Sequence, residues 1–231
     1  MRWLLGYMAA VCILLIIVSQ SIIFPSFHMP FFRWQFERLE IAYNVQISDA
    51  DLQHVTTQLL DYMRGNRESL DSIYATVAGQ ERDFFNDVEK RHMMDVRNLY
   101  NIAYTTRNVS FFLFVGLALG MALLRMPLLY VLARCTREVI AAFLLIGFIV
   151  AGFTAANFAR AFDIFHLMFF PYNTDWMLNP TQDLLVNIVP AGFFAHIAIF
   201  IGTIMATVSL LAITISSIYL YRLPRNVQVA L

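Results

Sequence analysis

Histidine is the side chain whose ordinary pKa lies where enzymes work, so two histidines held together can take up a proton at one ring and donate one from the other. Two of the five histidines in this 231-residue chain sit in surroundings suited to that task. His92 lies in Asp87-Val88-Glu89-Lys90-Arg91-His92-Met93-Met94-Asp95-Val96-Arg97. Glu89 and Asp95 stand three residues to either side, where a helix would set a carboxylate able to orient the ring. His166 lies in Phe162-Asp163-Ile164-Phe165-His166-Leu167-Met168-Phe169-Phe170, with Asn173, Asp175 and Trp176 close behind. A lone histidine on an apolar stripe is ordinarily a packed structural residue, and the run around Phe165 can equally be an interfacial aromatic belt. Two such segments on the same side of a membrane point instead to acid–base chemistry on lipid.

The membrane reading comes from the apolar runs that must position them. Trp3 to Phe24 and Val139 to Phe158 carry no charge, and each reaches the roughly 20 residues a hydrocarbon core requires. Asn108 to Leu124 is shorter, but Arg125 can snorkel and Met126 to Leu132 continues the run. Leu184 to Tyr221 is uncharged and too long for one straight crossing. Pro190 and Gly192 break it early, so Leu184 to Val189 is expected at the interface ahead of a fourth span. The fold class expected is an all-α membrane protein with four transmembrane helices, a helical extracytoplasmic segment between the first and second, and a short one between the third and fourth. In numbers, the spans are 1–24, 108–132, 139–159 and 191–221, with outer segments 25–107 and 160–190, an inner loop 133–138 and an inner tail 222–231.

Basic residues in the short segments set the orientation. Arg2, Arg125, Arg134, Arg137, Arg222 and Arg225 fall on one side against Glu138, whereas the short opposite connection holds Arg160 with Asp163, Asp175 and Asp183. Both termini are therefore expected in the cytoplasm and both histidines outside it. A formal net charge of zero with no basic patch excludes a nucleic-acid partner. A cleaved signal peptide is the competing reading of the first run, but its apolar stretch is long and no small-x-small site follows Ser21, which favours an anchor that stays attached. Cys12 falls in a span and Cys135 in the inner loop, so no disulfide is expected.

Within the outer segment, Ser48 ahead of Asp49 and Asp51 is a helix start, and Leu52, Val55, Leu59, Leu60 and Met63 recur at helical spacing as far as Gly65. Glu81 to Arg107 lacks proline and glycine, with Phe85, Val88, His92, Val96, Leu99 and Ala103 in steps of three and four. Glu89-x-x-His92-x-x-Asp95 lacks the paired histidines of a zinc protease helix, and His28, His54 and His196 have no ligand spacing, so no metal and no cofactor is expected. No Gly-x-Ser-x-Gly marks a nucleophile elbow. Transport is disfavoured because the spans hold almost no ionisable group besides Arg125 and His196.

A resemblance sharpens the picture. His92-Met93-Met94-Asp95-Val96-Arg97, then Phe165-His166-Leu167-Met168-Phe169-Phe170 with Asn173, Trp176 and Pro180, then Leu184-Leu185 and Pro190-Ala191-Gly192-Phe193-Phe194, resemble in order and topology the lipoprotein intramolecular transacylase family of bacterial four-helix membrane proteins. Ser48 to Leu52 and Leu59 to Met63 are similar to that family's first outer helix. The resemblance implies an acyltransferase of the bacterial cell membrane, acting at the outer leaflet. Its substrates would be diacylglyceryl-modified lipoproteins, with membrane phospholipid around it. The acyl chain at the second glycerol carbon would move to the α-amine of the N-terminal cysteine, giving a lyso-form lipoprotein. His92, oriented by Asp95, is then assigned as general base and His166 as acid or oxyanion partner, an assignment open to reversal and to a covalent acyl-histidine route. Arg97, Arg160 and Asn173 are candidate donors and Trp176 a candidate wall. Two other readings remain: a non-enzymatic membrane sensor or assembly partner with structural histidines, and a metal-dependent lipid or peptide hydrolase.

Overall fold

The computed structural model describes residues 2–224 and is helical apart from one hairpin: α1 Arg2–Ser26, α2 Met29–Arg38, α3 Ile41–Val45, α4 Asp49–Arg64, β1 Tyr74–Val77, β2 Gln80–Asp83, α5 Asp87–Leu123, α6 Leu128–Ala156, α7 Phe158–Phe169, α8 Leu184–Ile188 and α9 Ala191–Arg222. Among the described residues four helices, α1, α5, α6 and α9, are long and apolar enough to cross a membrane. The expected tail from Arg225 onward lies outside the described residues.

The chain groups into two units. Of the described residues the first holds 2–23, 103–156 and 200–224, with the apolar parts of the four long helices. Its buried cluster is Ala9, Ala10, Met121, Tyr130, Val131 and Cys135. Small residues at Gly6, Ala9 and Ala10 let α1 lie close to α6, the ordinary way for membrane helices to pack without a hydrophobic driving force between them. A Cβ placed on Gly6 would collide with Val131 Cγ1 and sit 2.8 Å from Cys135 Sγ. Many large apolar side chains of this unit point outward, Leu145, Ile146, Phe148 and Ile149 on α6 among them. That is the surface of a helix solvated by lipid.

The turn between α5 and α6 falls earlier than the sequence suggests. Arg125 takes a left-handed backbone, φ +51°, and Pro127 bars its predecessor from helix. The apolar run does not continue through Arg125 to Leu132, and the stretch 133–138, expected as a loop, is helical within α6. Glu138 there accepts hydrogen bonds from Tyr7 and Arg134, and the Arg134 guanidinium lies over the Trp3 ring at 5.0 Å.

The second unit holds 24–102 and 157–199. α4 starts and stops where its sequence says: Ser48 Oγ accepts from the Asp51 N–H at 3.0 Å, and Gly65, φ +86°, closes its end with backbone bonds to Tyr62 and Asp61 carbonyls. Leu52, Val55, Leu59, Leu60 and Met63 face inward as the periodicity requires. Phe31, Phe32 and Phe36 of α2 pack around Phe193 of α9, edge-on, tilted and stacked respectively. The periodicity did not disclose the hairpin. β1 and β2 pair antiparallel from Tyr74↔Asp83 to Val77↔Gln80 around Ala78 and Gly79, both at positive φ, the two-residue turn that matches strand twist. Glu81 to Asp83 are therefore strand, and Phe85 lies ahead of the α5 helix whose stripe it was expected to join.

The start of α5 is a capping box. Asn86 Oδ1 accepts from the Val88 and Glu89 N–H groups, while Glu89 Oε2 takes the Asn86 N–H at 2.7 Å. One turn further along is His92.

Candidate functional site

α5 and α7 bring His92 and His166 together, their ring centroids 6.0 Å apart and tilted by 35°. Both are buried, His92 8% and His166 6% exposed. α7 exists because Asn157 interrupts the preceding helix and caps a new one, its Oδ1 accepting the Arg160 N–H at 3.0 Å. Arg160 takes part through this backbone group, and its side chain is exposed. Near the end of α7, His166 is packed among aromatic rings: Phe162 at 4.1 Å, Phe165 at 5.3 Å, Phe170 at 5.7 Å and Trp176 stacked at 4.7 Å. Phe170 also meets His92 edge-on at 5.4 Å.

The hydrogen bonds decide which nitrogens are available. His166 Nδ1 lies 2.8 Å from the Phe162 carbonyl oxygen. A carbonyl can only accept, so Nδ1 carries the proton and the neutral ring presents a lone pair at Nε2. Among the described residues His92 Nδ1 is buried with no hydrogen-bond partner. A proton there would be an orphaned buried donor, costing about 1–3 kcal/mol, so the neutral ring of His92 carries its proton at Nε2. One imidazole thus offers an acceptor at Nε2 and the other a donor at Nε2.

Burial disfavours the charged form of both rings. Burial, reinforced by the charge His166 can carry, pushes His92 down to about 4, against the pull of Asp95 and Asp175. Burial likewise lowers His166, opposed by the Phe162 carbonyl and then Asp163.

Other residues singled out by sequence have mixed placements. Asp95 does not bond His92; its Oδ2 accepts from Asn173 Nδ2 at 2.7 Å, and Asn173 Oδ1 accepts from the Asp175 N–H. Asn173 is thereby spent on a structural bridge, and Asp95 acts on His92 through space. Arg97 is turned to Glu68 O at 3.2 Å and over the Tyr62 ring at 4.7 Å. Trp176 lies flat on His166, with its indole Nε1 buried and without a hydrogen-bond partner among the described residues.

Glu89, the other carboxylate flanking His92 in sequence, and two groups the sequence did not single out, Asn86 and Arg91, complete the surroundings. Glu89, fully buried, accepts the Leu185 N–H at 2.6 Å. Asn86 Nδ2 donates to Asp183 Oδ1 at 2.6 Å, and Arg91 makes a two-pronged pair with Asp175 at 2.9 and 3.2 Å. The Asn86 cap was open to discovery as an Asn-x-x-Glu signature; its long-range partners 97 and 96 residues away were not. Among the described residues no group of three His, Cys, Asp or Glu could hold a metal ion.

Comparison with known proteins gives two findings. A family model described as Lit, lipoprotein intramolecular transacylase, matches residues 7–194. Among solved structures, the chain is similar to the membrane integral lipoprotein intramolecular transacylase Lit from Bacillus cereus, with a TM-score of 0.73, 18% identity, and coverage of 96% of this chain and 95% of that one. A variant of the Bacillus cereus protein with one histidine replaced by arginine is similar with a TM-score of 0.72 and 16% identity, over 96% of this chain and 93% of that one. No curated protein matches.

Proposed function

Because the chain belongs to the lipoprotein intramolecular transacylase family, we propose that His92 and His166 are the pair at which it moves an acyl group within a lipoprotein. The membrane-integral fold and the transfer of an acyl group come with the family. The site, the bond broken and the side of the membrane are our reading.

The substrate in this reading is a lipoprotein whose N-terminal cysteine bears a diacylglyceryl thioether. The α-amine attacks the ester carbonyl at the second glycerol carbon. Nucleophile and ester belong to one molecule and meet through a ring of about eight atoms, so a bound conformer that aligns them can supply part of the roughly 7–11 kcal/mol available from orientation. No second substrate enters. The N–C bond forms, the ester C–O bond breaks, and the amine proton ends on the glycerol oxygen.

His166 Nε2, its lone pair set by the Phe162 carbonyl, takes the amine proton as the N–C bond forms. The resulting imidazolium is met by the faces of Trp176 and Phe162, which favour a cation, and it returns the same proton to the departing glycerol oxygen. His92, held neutral, donates its Nε2–H to the carbonyl oxygen as negative charge develops there. A neutral imidazole suits that task because it gives a hydrogen bond without surrendering its proton. These roles reverse the order assigned from sequence alone. The observation that carries them is the Nδ1 bond of His166 beside the unpartnered Nδ1 of His92.

The topology of this reading sets both termini in the cytoplasm and the pair at the outer leaflet, supported by the arginine bias of the short inner segments. Membrane phospholipid surrounds the site and is not consumed. The test is mass spectrometry of the N-terminal peptide of a diacylglyceryl lipoprotein incubated with purified protein in detergent without added lipid. Unchanged total mass with one acyl group relocated to nitrogen, lost in His92→Ala and in His166→Ala, supports the reading. Loss of an acyl mass would make the protein a hydrolase, and full activity in both variants would leave the histidines structural.

A further inference from the structure

Residues 173–185 are fastened to the first turns of α5 at four points. Asn173 bonds Asp95 at 2.7 Å, Asp175 pairs with Arg91, Asp183 takes the Asn86 side-chain amide at 2.6 Å, and the Leu185 N–H donates to Glu89 at 2.6 Å. His92 lies between these fastenings in sequence, and the fastened segment is the one that lays Trp176 on His166.

Glu89 is the unusual member. It is 0% exposed, Asp183 beside it is 7% exposed, and among the described residues neither has a cation at ion-pair distance. Desolvation and the neighbouring Asp183 charge push the Glu89 carboxyl above its ordinary range, with the Leu185 and Asn86 N–H groups pulling the other way. Two carboxylates buried with only Asn86 between them are a poor way to stabilise a fold, since apolar side chains of similar volume do at least as well. What a carboxylate adds is direction: Oε2 takes the N–H at the head of α5, Oε1 the N–H at the head of α8, and no apolar side chain can hold both.

We infer that Glu89 is a positioning residue for the acyl transfer, holding the turn of α5 that carries His92 at a set distance from the segment that places Trp176 on His166. The inference rests on the histidine pair being the reacting centre.

Glu89→Gln keeps the volume, removes the buried charge and turns an amide NH2 toward one of the two N–H donors, so one fastening is lost. Asn86→Ser keeps a capping oxygen for α5 and loses only the bridge to Asp183. Full-length protein in detergent is assayed on a diacylglyceryl lipoprotein peptide, and thermal unfolding is followed in parallel. A misplacement of about 1 Å costs on the order of 100-fold, so Glu89→Gln is expected to lower kcat by about that factor with KM within about threefold, while the unfolding midpoint changes little, because relief of the desolvated charge offsets the orphaned N–H. Asn86→Ser shows the same split with a smaller loss, and it serves as the test if Glu89→Gln fails to fold. Wild-type kcat in the variant assayed, or losses of kcat that follow losses of stability, would overturn the inference. His92→Ala and His166→Ala run alongside: if both stay active, the reading of the pair itself fails, whereas inactive histidine variants beside fully active Glu89→Gln and Asn86→Ser sink only the positioning role.

Discussion

Glutamine is the substitution that separates the two histidine roles, because its side-chain amide can set an N–H close to where a histidine Nε2–H would be, but it cannot serve as a base. With a pKa of about 4, His92 is protonated in only about one molecule in a thousand at pH 7. In the proposed reaction it is therefore the neutral N–H donor. Deleting a positioned donor costs about 10²- to 10³-fold in kcat, or about 2.7–4 kcal/mol, which sets the expected loss for His92→Ala. His92→Gln should recover about tenfold of it, since an N–H is restored without ideal geometry. At His166 the same replacement presents a donor where a lone pair is required. His166→Gln should then be no better than His166→Ala, both losing about 10²- to 10⁴-fold, the usual worth of a general base. The assay is the initial rate of acyl relocation from glycerol to nitrogen, read by fragment masses at saturating lipoprotein. If His166→Gln proves the more active of the two glutamine variants, the tautomers have been read the wrong way round and His92 is the base.

Acidification tests the same burial from the stability side. The folded pKa of His92 lies below its unfolded value of about 6.5, so between pH 6.5 and 4 the unfolded chain binds a proton that the folded chain refuses. Stability should be fully present above about pH 6.5 and fall by about 3 kcal/mol on descending to pH 4; the His92→Phe variant, titrated by chemical denaturation in the same detergent, should lose most of that slope. Trp176→Phe should keep kcat within a few-fold of wild type, because the indole Nε1 has no partner to lose. Trp176→Ala uncovers His166 and should move the pKa of that ring up toward the ordinary histidine value, read by imidazole NMR. Gly6→Ala should lower the unfolding midpoint through overpacking worth about 1–3 kcal/mol, since the added methyl meets Val131 and Cys135. Val131→Ala in the same chain should restore part of it.

Much of this protein was legible without coordinates. Uncharged runs such as Trp3 to Phe24 leave the backbone little alternative to a helix in lipid, because each buried N–H and C=O must be satisfied within its own segment. α4 was readable down to its Ser48 cap and Gly65 stop, since capping and periodicity are local. His92 and His166 stood out by type and surroundings. The hairpin escaped because Ala78-Gly79 is a weak turn signal inside a polar stretch that has no long periodicity to contradict. The α5–α6 turn was misplaced by following hydropathy past Arg125, where Pro127 and a left-handed backbone overrule it.

Sequence by itself determined that this chain enters a membrane on four long apolar helices and which two histidines to propose for the acid–base chemistry, since apolar length, capping and side-chain type are properties of short stretches. Only the tertiary structure decided which nitrogen of each ring holds a proton, that Asp95 bonds Asn173 and reaches His92 only through space, and that Glu89 reaches Leu185. Those depend on what burial and a neighbouring carbonyl do to a group, and the partner at Leu185 arrives from 96 residues away.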